Sequence, residues 1–306
     1  MSKKMKGNIL LLLTAFIWGS AFVAQKAGME YIEPFTFNGI RCFIGAIVLI
    51  PVILIFAKDD PIAKDASEEE KKAYNKTLLL GGLCCGLAIF IASSLQQYGI
   101  LYTTAGKSGF ITALYVVLVP VFGVFLKRKV RKSTWLCVAM ALVGLYLLCV
   151  QKGEALNIGD FITLLFAFGY TLHIFVIDYF SPKVNGVKMS CLQFLVAGIL
   201  SMPIAAIFED IVWANVLNCA IPILYAGVLS CGVAYTLQII AQKDTDPMIT
   251  SLLMSMESVF AVVTAAVVLH EMMSLKELMG CAIMFAAIII VQIPSKEERL
   301  AAKESA

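Results

Sequence analysis

The chain has 306 residues, 60% of them hydrophobic and only 15% charged, with a mean hydropathy of +0.88. A water-soluble domain is nearer half apolar and a quarter charged; an aqueous fold of this length cannot hide so much apolar surface, so the bilayer must act as solvent for much of it. The formal net charge is +3 and the basic residues sit in short loops, which excludes a nucleic-acid partner.

Apolar runs of about 20 residues, the length that crosses a bilayer, fall near 8–26, 35–57, 78–101, 105–126, 133–150, 159–180, 188–208, 216–241, 248–269 and 275–293. The first follows Lys3, Lys4 and Lys6 directly, as in a secretion signal. No small-residue cleavage site succeeds it, so it reads as a retained helix. The 58–77 loop, with Asp59, Asp60, Glu68, Glu69, Glu70, Lys71 and Lys72, reads as a solvated linker. Numbering the loops alternately places 19 Lys and Arg on one side and 4 on the other, with Arg41 left inside a span. That asymmetry requires an even number of spans and puts both termini in the cytoplasm of a multi-pass cell-membrane protein. The nine cysteines lie mostly within apolar runs, with no C-x-x-C and no Cys/His ligand spacing. They read as packing residues, and no metal or cofactor is expected.

The two halves resemble each other, which divides the chain into five-helix repeats at 1–150 and 151–306. Asn8, Trp18 and Gly19 are answered about 150 residues later by Gly159, Asp160, Phe168 and Gly169. Leu95-Gln96 is matched by Leu237-Gln238 after 142 residues, and Ser108, Thr112 and Tyr115 by Ser251, Ser255 and Ser258 after 143. A unit with an odd number of helices re-enters from the opposite side, so the fold class is all-α integral membrane, ten helices in a 5+5 inverted repeat. Secondary transporters share this plan and hold their substrate near the midplane, between the repeats.

Trp18-Gly19-Ser20-Ala21-Phe22 followed by Lys26, Arg41 in the second span, Tyr102-Thr103-Thr104-Ala105 and the stretch Ser251 to Phe260 followed by His270-Glu271 together resemble EamA-type transporters of the drug/metabolite transporter superfamily. The resemblance covers nearly the whole chain. It implies a secondary transporter for a small molecule (an amino acid, a related metabolite or a drug-like amphiphile), with export as the more frequent direction. Two departures stand out. Glu257 is followed by Ser258 where the family often has Pro, which bears on local helix geometry, and the fourth span ends on Lys127-Arg128 where it often has Gly-Glu.

Polar groups in hydrocarbon are costly and usually face a cavity or a partner. Ser108, Thr112 and Tyr115 are spaced to share one face of a continuous helix, and Ser251, Ser255 and Ser258 repeat that face. Tyr235, Gln238 and Gln242 line one face of the eighth span, Ser93 and Gln96 one of the third. With Trp18 and His173 these supply the candidate cavity residues, drawn from spans 1, 3, 4, 6, 8 and 9. Phe22, Phe168 and Tyr170 are further aromatic candidates. Glu257, near the midplane, is the candidate coupling residue, with protons as the candidate ion; a structural glutamate is the alternative. Arg41, about six residues inside its span, either snorkels to the membrane surface, pairs with a carboxylate or attracts an anionic substrate group.

Rival classes fare worse. Gly106-Lys107-Ser108-Gly109 with His173 superficially resembles the serine–histidine dyad of a rhomboid protease, but the ten-span repeat has no place in that fold. A phosphate loop needs Gly where Leu101 stands. Nothing reads as a channel filter.

Overall fold

The computed structural model describes residues 3–55, 62, 66–103, 105–149, 157–268 and 274–293. Its first three helices are α1 (Lys3–Gly28), α2 (Pro34–Ile55) and α3 (Glu68–Tyr102), each one span. The fourth span is two short helices, α4 (Ala105–Thr112) and α5 (Tyr115–Phe125), followed by α6 (Lys132–Cys149). The second half repeats the pattern with α7 (Ile158–Phe180) and α8 (Gly186–Phe208). Its eighth span is composite: α9 (Trp213–Asn218), α10 (Ala220–Leu224), a π-helical stretch (Tyr225–Ala234) and α11 (Tyr235–Gln242). The ninth span is again two pieces, α12 (Pro247–Met254) and α13 (Glu257–Val268), before α14 (Leu275–Gln292). Among the described residues nine spans are long and apolar enough to cross a membrane, and the fifth, Lys132–Leu148, is a shorter apolar helix.

The helix starts follow from local chemistry. Free N–H groups at a helix N-terminus need acceptors, which Ser, Asn and Asp side chains supply. Ser67 with Glu70, Asn157 with Asp160 and Ser274 with Glu277 form reciprocal capping boxes for α3, α7 and α14. The Ser67 box corrects one expectation: α3 begins at Glu68, so residues 68–77 are helix rather than linker. Their acidic first turn complements the helix dipole. The large side chains left exposed, among them Leu54, Ile55, Phe125, Phe208 and Ile221, are those a lipid-facing surface accepts.

The packing is that of two inverted copies. In the middle, α5 packs on α12; α2 packs on α8 and α6 on α14. The remaining pairs swap between halves: α3 packs on α7 as α1 does on the π-helical stretch and α11, and α1 packs on α12 and α13 as α7 does on α4 and α5. At the ends of spans 2 and 7 far from the N-terminus, the Glu209 carboxylate accepts from the Phe35 and Thr36 backbone N–H groups at 2.7 Å each. At the other end Arg128 donates to Asp178.

The breaks give the repeat its register. The backbone N–H of Leu114 donates to Ile111 O at 3.1 Å, and that of Met256 to Leu253 O at 3.3 Å. Both are the same tightened turn, 142 residues apart (256 minus 114), and the helix ends on either side obey the same offset. The serine match at 143 is therefore one residue out of register: Tyr115 is equivalent to Glu257, Thr112 to Met254 and Ser108 to Thr250. The polar faces are also not those of one continuous helix, because the chain turns between Thr112 and Tyr115 and again between Met254 and Glu257. The missing proline leaves the second break in place, in step with a first break that has Val116 at the matching position. In the opening spans, a Cβ added to Gly159 would lie 2.7 Å from Gly99 O, and one added to Gly7 would lie 3.5 Å from Ala241 O. These equivalent contacts set an offset of 152 (159 minus 7), so Trp18 answers Tyr170, not Phe168.

Gly19 shows how tightly the first span meets the second break. A Cβ there would stand 2.5 Å from the Glu257 carbonyl oxygen and 2.8 Å from Ala261 N. Backbone has little freedom to move away, and overpacking of this kind costs about 1–3 kcal/mol. Gly19→Ala is expected to lower the melting temperature of the detergent-purified protein, whereas Gly109→Ala, whose Cβ would meet nothing within 4 Å, is expected to leave it unchanged within about 0.5 kcal/mol; differential scanning fluorimetry compares the two.

Candidate functional site

The two breaks meet at the centre of the bundle, and an internal cavity of about 20 Å³ opens beside them. A void of that size holds about one water molecule. Its wall takes Trp18, Phe22 and Gln25 from α1, Arg41 from α2, Gln96 from α3, and Thr112 and Tyr115 from either side of the first break. The second half contributes Phe166 and Tyr170 from α7, Ser230 from the π-helical stretch, Tyr235 from α11 and Glu257 from the first residue of α13.

Each feature of the wall has a local cause. A π-helical stretch mispairs backbone groups; here Thr14 Oγ1 of α1 donates to the Ala234 carbonyl at 3.1 Å and helps to satisfy it. Ser20 Oγ and Tyr225 Oη lie 2.6 Å apart at the start of the same stretch. Tyr115 and Glu257, the repeat-equivalent residues, are hydrogen bonded to each other, the phenol donating to Oε1 at 3.1 Å. Glu257 is 4% exposed, so it is buried away from bulk water. The aromatic rings form a continuous layer. Trp18 lies 4.5 Å from Tyr235 and 5.9 Å from Tyr170, and Tyr170 lies 5.2 Å from Tyr115 and 5.4 Å from Phe166. Tyr170 is held from behind, its phenol donating to Gln238 Oε1 at 3.2 Å.

Arg41 carries the wall's positive charge. Its Nη1 donates to Gln25 Oε1 at 3.0 Å, and the guanidinium stands 5.6 Å from the Phe37 ring centroid. It is 5% exposed, so it does not reach the membrane surface, and the partner it finds is an amide. Among the described residues, Arg41 Nε, Trp18 Nε1 and Thr112 Oγ1 are buried with no hydrogen-bond partner. Buried donors are nearly always paired in folded proteins, so three such groups on one wall make the void the candidate binding site.

The residues singled out in the sequence divide into two groups. Trp18, Gln96, Thr112, Tyr115, Tyr235 and Glu257 line the cavity. Ser108, His173, Gln238, Ser251 and Ser255 are fully buried behind it. Ser251 Oγ donates to Met248 O within α12, and Ser255 Oγ, at the end of that helix, to Leu252 O. Gln238 Nε2 donates to Gln242 Oε1, and His173 Nε2 lies 2.9 Å from Gln193 Oε1. Ser108 Oγ has no partner, so it forms no dyad with His173. Phe168 is 41% exposed and faces away from the cavity. His270 and Glu271 lie outside the described residues. Sequence reasoning missed Gln25, Phe166 and Ser230 and left Arg41 off the cavity wall. The 152-residue equivalence with Trp18 was the signal for Tyr170.

The comparisons with known proteins agree with this architecture. A family model described as the EamA-like transporter family matches twice, over residues 5–150 and 157–293. An uncharacterized transporter of Archaeoglobus fulgidus is 29% identical, over 95% of this chain and 87% of its own. The uncharacterized transporter YoaV of Bacillus subtilis is 24% identical, over 95% of this chain and 97% of its own. A crystal structure with 16% sequence identity superimposes with a TM-score of 0.75, covering 94% of this chain and 96% of that one, and so shares the fold. With two copies of the family's unit spanning nearly its whole length, the chain belongs to the EamA-like transporter family of the drug/metabolite transporter superfamily, and it is a membrane transporter rather than an enzyme.

Proposed function

We propose that the protein exports a small zwitterionic metabolite by alternating access, with both termini in the cytoplasm and Glu257 taking part as the site where a proton is exchanged. The observation that carries this reading is the pairing of opposite charges around one void. The guanidinium of Arg41, with the unpartnered Nε of Arg41 and Nε1 of Trp18, offers donors for an acidic group. The Glu257 carboxyl and the faces of Trp18, Tyr170 and Tyr235 suit an ammonium. A molecule carrying both groups satisfies both sets at once, whereas a simple acid or a simple amine leaves one set without a partner. Room for one water is too little for such a solute, so this conformation is read as closed, and loading requires the two repeats to move apart. The Glu209 contact between spans 2 and 7 and the Arg128–Asp178 pair sit at opposite ends, where such movement would have to break them. Export as the direction rests on the family resemblance, and the orientation on the 19-to-4 distribution of Lys and Arg between the two sets of loops.

In proteoliposomes the protein is expected to exchange zwitterionic amino acids and close analogues while leaving matched monocarboxylates and monoamines behind. If the monoamines or monocarboxylates are carried equally well, the two-charge site is wrong. A charged hydrogen bond contributes about 1.5–3 kcal/mol, so Arg41→Gln is expected to weaken transport about tenfold to hundredfold. Glu257→Gln keeps the size and hydrogen-bonding shape of the side chain but cannot take up a proton. It is expected to flatten the pH dependence of flux across an imposed pH gradient; an unchanged profile assigns Glu257 a structural role.

Orientation has its own readout. A fluorescent protein fused behind Ala306 is expected to fluoresce in cells, and an alkaline phosphatase fused there to stay inactive. The reverse pattern would place the termini outside.

A further inference from the structure

A second, much larger space lies at the end of the bundle that bears the N-terminus, outside the central site. It is a groove of about 510 Å³ between the second and eighth spans, walled by Val48 and Val52 of α2 and by Val233 and Ile240 opposite them. Gly232 lies on the same wall, where a Cβ would stand 3.4 Å from Val48 Cγ1. Two cations, Lys6 and Lys243, line the same groove, and both are exposed. Ser181 also lines it, 2% exposed, with its hydroxyl lacking any hydrogen-bond partner. The acidic groups at this end among the described residues include Asp244, next to Lys243, Asp246, whose Oδ1 already accepts from Met248 N at 2.8 Å, Asp178, which is paired with Arg128, and Glu68, Glu69 and Glu70 in the first turn of α3; none of them lines the groove.

We propose that this groove binds one anionic phospholipid, its acyl chain between the second and eighth spans, its phosphate between Lys6 and Lys243, and a headgroup or ester oxygen on the Ser181 hydroxyl. The charge and the walls argue for that occupant together. Two ammonium groups over a mostly aliphatic slot fit a molecule that is anionic at one end and hydrocarbon at the other. Basic pockets between membrane helices are recognition sites for such headgroups. A soluble anion would satisfy the lysines and leave the apolar wall open; a neutral lipid would do the opposite. The buried, unpaired hydroxyl adds an independent demand, since a hydroxyl in that position needs a partner and the described residues supply none. The site shares no residue with the central cavity, so it stands whether or not the transport reading does.

The test is lipid retention on the full chain, purified in a mild detergent and exposed to dioleoyl phosphatidylglycerol or dioleoyl phosphatidylcholine, read by native mass spectrometry and by thermal shift. The wild type is expected to retain phosphatidylglycerol about tenfold better than phosphatidylcholine and to be stabilised by it. Lys6→Gln with Lys243→Gln is expected to bring the two lipids to parity, and Ser181→Ala to weaken retention of both. Val233→Trp, which fills the slot, is expected to abolish retention at this site. Each variant is first checked for an unchanged elution volume on gel filtration; if Val233→Trp does not pass, the lysine and serine variants decide the question. Equal retention of the two lipids by the wild type overturns the proposal, as does a phosphatidylglycerol preference that survives loss of both lysines. Displacement of the lipid by millimolar inorganic phosphate would show a soluble-anion site instead and would overturn it equally.

Discussion

The hydrogen bond from Tyr115 to Glu257 is the constraint around which the rest of the bundle is arranged. A carboxyl inside hydrocarbon is among the most costly groups a membrane helix can carry. Here it is placed at the first residue of a half-helix, where free backbone N–H groups and the positive end of the helix dipole offset the cost. The break in the ninth span therefore supports the carboxyl. The matching break in the fourth span presents Tyr115 from the equivalent position of the other repeat. Two equivalent frames, inverted and brought face to face, put residue 115 and residue 257 within one hydrogen bond of each other.

Inversion repeats the backbone but leaves the side chains free to differ. Trp18 and Tyr170 occupy equivalent positions and meet as an edge-to-face pair; Tyr115 and Glu257 are a phenol and a carboxyl. The symmetric frame thus encloses an asymmetric wall. Small residues permit the close approach this requires. Gly19 lets the first span lie directly on the second break, and Gly99 and Gly159 let the third and sixth spans touch backbone to backbone. The motif that first suggested the family, Trp18-Gly19, accordingly has two physical roles, a ring in the cavity wall and a glycine under the break.

Much of this was legible in the sequence because bilayer length, loop charge and repeat spacing are strong, redundant signals. The ten spans, the repeat and six cavity residues come from them. The breaks were not legible. Neither Ala113-Leu114 nor Ser255-Met256 contains the Gly or Pro that usually marks an interrupted helix, and the turn is held by tertiary packing instead. Missing the breaks had a second effect. Hydroxyl residues are frequent in the fourth and ninth spans, so a match of three serines one residue out of register looked as good as the true one, and the equivalence of Tyr115 and Glu257 was hidden by it. The back-bonded Ser251 and Ser255 illustrate why a polar stripe on a membrane helix is weak evidence for a cavity: a serine can satisfy itself on its own backbone, whereas a tryptophan or arginine donor cannot.

That contrast bears on how such a cavity can work. A ligand shifts a conformational equilibrium only by binding one state better than another. On the cavity wall, the buried polar atoms without partners among the described residues are Arg41 Nε, Trp18 Nε1 and Thr112 Oγ1, each contributed by a different span. On the proposed alternating-access reading, a solute that supplies their partners would bind a state in which spans 1, 2 and 4 have converged and bind less well once they separate. On that reading the unsatisfied donors would link occupancy to closure, because the stabilisation a substrate brings would be available only when the halves come together around it.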